Sequence, residues 1–402
     1  MAIRVINSPC TGFQKPESQW HLLKCKLITP LYGGGVESST IDANMPIRSS
    51  SIRGQLRFWW RILAKNLWMV DATDKAIQAA EFKLWGGGAS EQFASKVFVK
   101  VGNFSEINSN IAPYTEYAPK YSTLGYVFFP ADNETNNNVS HDLLKEGFTW
   151  DLSIKFDETL SDEDKNMVIQ TLRWWSQFGG VGARTRRGAG AFIIEDADEC
   201  LKKITSPITV EEAQQANCIL SLRNTVPDSI KAWNIAVEQL KDFRQSPNVG
   251  RNSGQQANRP GRSRWPEPDA IRTIQNKWDP NHKPEHQAGN VFPRGLFGMP
   301  IIFEFGSNKE PNTTTLQPIG NERMGSPLLL RPYYDRATQK YAPMALLLPY
   351  QHLLSMEVDL KGSRASSVKL WDIGKEDLIS PIQKYGGTNP LEAFMNFFQK
   401  GY

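Results

Sequence analysis

Between Phe148 and Phe156 the chain alternates without a break: Phe148, Trp150, Leu152, Ile154 and Phe156 are interleaved with Thr149, Asp151, Ser153 and Lys155. A strict period of two places the large apolar side chains on one face of a strand and the polar ones on the other. Such a sheet needs a cover on its apolar side, and the next stretch supplies one. Ser161 followed by Asp162, Glu163 and Asp164 is a helix start, with a side-chain cap and acids where the dipole favours them. Met167, Val168, Leu172, Trp175 and Phe178 keep helical spacing as far as Gly179-Gly180. After a glycine-rich run to Gly190, the apolar residues Ala191 to Ile194 predict a returning strand.

The same logic works upstream. Leu23, Cys25 and Leu27 alternate with lysines and end in Thr29-Pro30-Leu31-Tyr32-Gly33-Gly34-Gly35, where proline stops pairing. From Met45 to Lys65 there is no acid, and Arg53, Arg57, Arg61 and Lys65 recur every four residues, with Arg48 just before them. A helix with that spacing is cationic along one side, while Leu56, Trp59, Trp60, Leu63 and Leu67 make an apolar stripe on another. Ser49 to Ser51 are expected to cap its first turn. Val97, Val99 and Val101 then alternate, and a further strand is expected near Tyr126 to Phe129. Strand, helix, strands, helix, strand is the order of a split β-α-β unit, so the fold class expected is α+β of the ferredoxin-like kind.

At 402 residues the chain calls for about two domains. A polar stretch from Glu195 to Gln215 marks the boundary, giving 1–205 and 206–402. Cys218, Leu220 and Leu222 restart a strand, and Asp228 caps a helix through Ile230, Trp233, Val237, Leu240 and Phe243, which suggests a duplicated architecture. From Arg244 to Arg264 five arginines (Arg244, Arg251, Arg259, Arg262, Arg264) lie among Asn, Gln, Gly, Pro and Ser without an acid. Composition predicts a mobile insertion of about 244–290 that orders on a partner. Strands are expected at Ile301 to Phe305, Leu328 to Arg331, Leu346 to Leu348 and Leu354 to Leu360, with a closing helix through Leu391, Phe394, Met395 and Phe398.

The net charge is only +4, so the clustering of the arginines says more than their number. Cys10, Cys25, Cys200 and Cys218 show no C-x-x-C spacing, and of five histidines only His282 and His286 are four apart, around Pro284. Neither a metal nor a redox cofactor is expected. The glycine runs lack the Gly-Lys-Ser/Thr of a nucleotide-hydrolysing loop, and there is no Gly-x-Ser-x-Gly elbow. No apolar run approaches a membrane span, and a cytoplasmic setting is expected. What remains is anion binding. Glycines in Gly179 to Gly190 let the backbone approach a ligand, and Arg184, Arg186 and Arg187 add forked phosphate contacts. Tyr32 and Trp85 are candidates to stack on bases.

The segment Ile47 to Arg61, the Thr29-Pro30-glycine turn and the Gly179–Gly190 loop together resemble the RAMP superfamily, the repeat-associated RNA-binding subunits of CRISPR systems. The Trp59-Trp60 pair and the stretch from Gly261 to Arg272, GRSRWPEPDAIR, are similar to the first-numbered subunit family of the type III-B, or Cmr, effector complex. The resemblance implies two tandem ferredoxin-like (RRM-like) domains with large loop insertions and a subunit that is not itself an enzyme. Its implied partners are guide RNA at the 3′ region, target RNA and neighbouring RAMP subunits, with no cofactor, membrane or small-molecule substrate. The residues expected at RNA are Gly33, Gly34, Arg48, Ser51, Arg53, Arg57, Arg61, Gly182, Arg184, Arg186, Arg187, Arg262 and Arg264. Two other readings stand beside it: a metal-independent endoribonuclease that uses His21, and an architectural subunit without RNA contact.

Overall fold

The computed structural model describes residues 19–33, 35, 40–88, 92–119, 122–128, 141–254, 261–363 and 367–400. Gly34, Cys10, Arg259, Phe129 and the polar loop after Asp132 lie outside them. Strand β1 (His21–Leu27) is followed by α1 (Ser49–Leu63), α2 (Asp74–Trp85), β2 (Val97–Gly102), β3 (Thr149–Phe156), α3 (Asp162–Phe178) and β4 (Phe192–Ala197). All pairings are antiparallel, in the order β2-β3-β1-β4, with Cys25 opposite Trp150 and Leu27 opposite Phe192. That is the permutation of a split β-α-β unit, in which β3 slots between the two strands joined through α1.

The alternation at 148–156 sends Phe148, Trp150, Leu152 and Ile154 into the core, where α1 and α3 cover them. Trp175 packs on Phe192 with ring centroids 4.5 Å apart, and Trp59 meets Phe178 at 6.1 Å. The Ser161 hydroxyl accepts from the amide of Asp164 as expected. At α1 the capping expectation fails. The N-cap position is Arg48, no side chain caps the end, and Ser49 to Ser51 are the first turn itself. Helix α2, capped by Thr73, was not foreseen. Tyr126 to Phe128, expected as strand, form a helical turn.

In the second half, β5 (Ile219–Leu222) leads to α4 (Ser229–Gln245), capped by Asp228. There follow α5 (Glu267–Gln275), β6 (Ile301–Phe303), β7 (Thr314–Pro318), β8 (Leu328–Asp335), β9 (Lys340–Leu347), β10 (Glu357–Lys361), β11 (Val368–Lys369) and α6 (Pro390–Lys400). The sheet β8-β9-β5 repeats the first half's second-third-first order, and a fourth strand is missing from it among the described residues. A separate antiparallel sheet, β11-β10-β7-β6, is inserted beside it.

One apolar cluster spans the two halves, and a second lies within the C-terminal half. Leu329 and Tyr333 of β8, with Met344 and Leu346 of β9, belong to the same apolar cluster as β1, β3, α1 and α3, while Leu328 and Leu330 face α4 and α6. Arg331 lies on the first face, between Leu329 and Tyr333, and is 1% exposed. Its guanidinium donates to the carbonyls of Ser176 (3.3 Å), Gly179, Phe192 (2.9 Å) and Pro332 (3.1 Å). A buried cation without a carboxylate is tolerated there because carbonyls at the C-terminal end of α3 supply the negative end of a dipole. Burial still pulls its pKa down.

Where composition predicts a mobile insertion, the described flanks are tied down. The Arg264 guanidinium donates to Asn252 Oδ1 (2.8 Å) and to the Asn248 carbonyl (2.9 Å). Trp265 is buried, and its indole donates to the Arg244 carbonyl.

Candidate nucleic-acid interface

The glycine-rich loop is stitched to the exit of β1 on both of its arms. Ala183 N donates to Tyr32 O (2.8 Å), Gly190 N to Pro30 O (2.8 Å), and the Thr29 hydroxyl to Gly188 O (2.6 Å). Gly182 runs with φ +80°, and a Cβ there would stand 2.6 Å from Tyr32 O, so this close approach needs glycine. Gly33 abuts Ala183 from the other side. At the tip Arg184 holds a left-handed conformation with φ +59°, and one 3-10 turn, Thr185–Arg187, follows.

The three loop arginines divide sharply. Arg187 donates to Leu328 O (3.0 Å) and Phe297 O (2.8 Å), and burial pushes its pKa down to about 10. The indole of Trp233 donates to the Arg187 carbonyl at 2.6 Å. Arg186 donates to Ser326 O and lies over the Phe58 ring of α1 at 5.2 Å. Both therefore bind the first half to the second. Arg184 is exposed, and among the described residues its guanidinium has no hydrogen bond or ion pair. Loss of hydration, partly offset by Tyr32 and compounded by the positive charge of Arg323, lowers its pKa. Arg323 is likewise exposed and unpaired among the described residues. Sequence reading passed over it, because an isolated Arg in Asn321-Glu322-Arg323 carries no pattern.

Most of the α1 cations are engaged. Glu81 of α2, 2% exposed, accepts from Arg57 Nε (2.5 Å) and Arg61 Nη1 (3.1 Å). Arg57 also donates to Gly86 O (3.2 Å). Arg48 pairs with Asp42 at 3.2 Å, and Lys65 with Asp74 at 2.8 Å. Arg53 alone of these five has no such partner among the described residues, and its Nε is buried without a hydrogen bond. Ser51 is exposed on the first turn. Arg262 and Arg264 stand away from the loop in their own networks, Arg262 bonded to Asp269 (2.8 Å) and Glu285 (2.9 Å). The stacking candidates are core residues, Tyr32 at 8% and Trp85 at 1% exposure. The structure thus gathers Gly33, Gly182, Arg184 and Arg323 at one rim.

His21 Nδ1 lies 2.9 Å from Cys200 Sγ and 3.9 Å from Asp198. Burial and the charges of Asp198 and Glu199 raise the Cys200 pKa, which keeps the thiol protonated and a poor nucleophile. Among the described residues no group of three or more His, Cys, Asp or Glu is placed to hold a metal, and no helix is long and apolar enough to cross a membrane.

An antiparallel split β-α-β unit with an arginine-bearing glycine loop clamped to its first strand is the class of domain this half presents. Residues 24–193, which run from β1 into β4, match the RAMP superfamily model. The chain is similar to Cmr1 from Pyrococcus furiosus in its apo crystal form, at 14% identity over 88% of this chain and 99% of that one, with a TM-score of 0.48. It is also similar to a chain of the type III-B Cmr-beta complex bound to cognate target RNA and AMPPnP, at 12% identity over 96% and 99%, with a TM-score of 0.49. For the same complex bound to cognate target RNA the values are 12%, 94%, 100% and 0.46. No curated protein sequence matches.

Proposed function

We propose that this chain is a non-catalytic, RNA-binding subunit of a type III-B CRISPR ribonucleoprotein, docked on neighbouring RAMP subunits, with its domain boundary near residue 205. The rim at Gly33, Gly182, Arg184 and Arg323 receives the phosphates of guide RNA in its 3′ region, and of target RNA. Arg53 adds charge from α1. The observation that carries this reading is Arg184: a left-handed residue on a loop clamped at both arms, its guanidinium without a partner among the described residues, beside a second arginine, Arg323, of which the same holds. Two like charges held together are favoured when an anion lies between them.

The test is the salt dependence of RNA affinity. Each phosphate neutralised contributes about −0.7 to the slope on a single strand. Arg184→Ala and Arg323→Ala should each weaken binding across sequences and flatten the slope by roughly one contact's worth. An unchanged slope in the double variant would remove the rim from the interface.

A further inference from the structure

The GRSRWPEPDAIR stretch, which the rim does not use, borders a cavity of about 380 Å³ between the loop at Gly261, the start of α5 and strand β6 with its following residues. Arg251, Arg262, Arg272 and Arg294 all line it. Their carboxylate partners do not. Glu267 pairs with Arg294 (3.1 Å), Asp269 with Arg262 and Arg272 (both 2.8 Å), Glu310 with Arg272 (2.8 Å) and Glu285 with Arg262 (2.9 Å), and none of the four faces the cavity. The four arginines line the wall and their paired carboxylates stand behind it, fixing the guanidinium planes; Glu304 is the one acid among the described lining residues. Phe303 and Phe305 support the same planes, lying 5.4 Å from Arg294 and 5.3 Å from Arg272.

An arginine carries five N–H donors, and here many are unspent. Among the described residues neither Nη of Arg294 nor Nη2 of Arg272 makes a hydrogen bond, and Arg251 makes one long bond from Nη1 to Gly261 O (3.4 Å). We propose that this cavity binds the phosphate monoester of a nucleotide, either free or at the end of an RNA. Forked donors from several directions suit the oxygens of a terminal phosphate better than the two of a carboxylate. The volume lies at the low end of small-molecule sites, about 300–1,000 Å³, and has room for one nucleotide. Because the four paired carboxylates and Glu304 on the wall offset the charge of the four arginines, the attraction is short-ranged and rests on the unspent donors. Binding here should depend weakly on salt, unlike binding at the rim, with which the cavity shares no residue.

Calorimetric titration of the full chain with adenosine 5′-monophosphate and with adenosine tests this directly, and short RNAs ending in phosphate or hydroxyl identify the source. The monophosphate binds and adenosine does not. If the phosphate-ended RNA gains over its hydroxyl-ended twin, the source is an RNA end; a gain confined to the monophosphate makes it a free nucleotide. Arg251→Gln, which gives up only the long bond to Gly261, lowers monophosphate affinity about tenfold at unchanged melting temperature. Glu304→Gln removes the one carboxylate that lines the cavity among the described residues and tightens binding. Equal binding of adenosine and its monophosphate, or no response to either variant, overturns the proposal. Hydroxyl-ended RNA responding to Arg184→Ala reports on the rim alone, so the two readings fail separately.

Discussion

Replacing Arg57 with alanine would strand the Glu81 carboxylate, which is 3% exposed, with only Arg61 to serve it. Breaking a buried ion pair from one side costs about 3–5 kcal/mol. The Arg57 side chain is 26% exposed and Arg61 remains, so the expected loss is about 2–3 kcal/mol. Arg61, 51% exposed, should cost under about 1 kcal/mol when it is replaced in the same way. Denaturant titration followed by tryptophan fluorescence measures both. In the Arg57→Ala/Glu81→Ala double variant no buried charge is left behind, since the half-exposed Arg61 is solvated, so the loss should fall short of the sum of the single variants by about 1–2 kcal/mol. RNA affinity, measured where Arg57→Ala is still folded, should stay within about twofold, because the guanidinium is already committed to Glu81 and Gly86. Parent-like stability together with weakened RNA binding in Arg57→Ala would refute this assignment and return the α1 face to the interface.

Two further outcomes follow from the same contacts. Burial raises the Asp269 carboxyl, but the amides of Glu285 and His286 and the guanidiniums of Arg262 and Arg272 outweigh it and leave its pKa lowered. Its stabilisation is therefore present above about pH 4 and lost as pH falls through the folded value, and melting temperatures of Asp269→Asn should show a flatter acid limb than the parent. Arg187→Ala orphans the carbonyls of Leu328 and Phe297 and should cost about 2–4 kcal/mol in denaturant titration, whereas Arg184→Ala should be near neutral.

What the sequence made legible was local. The alternation at 148–156 and the caps at Ser161 and Asp228 depend on residues within a few positions of one another, and each produced the element expected. Helix α2 was missed because its buried positions, Ile77, Glu81, Leu84 and Trp85, include a carboxylate where a stripe would show an apolar residue. Only tertiary structure explains that Glu81: it answers Arg57, 24 residues earlier. Absence of acids within Met45 to Lys65 therefore said little about free charge, since the compensating acids came from Asp42, Asp74 and Glu81. Arg331 is the extreme case. An arginine in Leu328-Leu329-Leu330-Arg331 looks misplaced until the carbonyls of Ser176, Gly179 and Phe192 are brought to it by another part of the fold.

These buried arginines also explain how an unpaired one is held in place. Arg186 and Arg187 bind the glycine-rich loop to Phe297, Ser326 and Leu328, and Arg331 binds β8 to the end of α3, from which that loop departs. Opening the loop would break all of these contacts together, so the loop moves with the shared core and not as a flexible connection. Arg184 then needs no partner of its own to stay positioned; its backbone is set by Ala183 against Tyr32 and by the turn at Thr185. The physical consequence is a division of labour within one run of four residues. Arginines whose donors are spent on carbonyls across the two halves pre-order the loop, and the arginine whose donors are unspent keeps its full capacity for an incoming phosphate. On the proposed interface, a substitution at Arg186 or Arg187 would reach RNA only through displacement of Arg184, so its effect on affinity should accompany a loss of stability, while a substitution at Arg184 should separate the two.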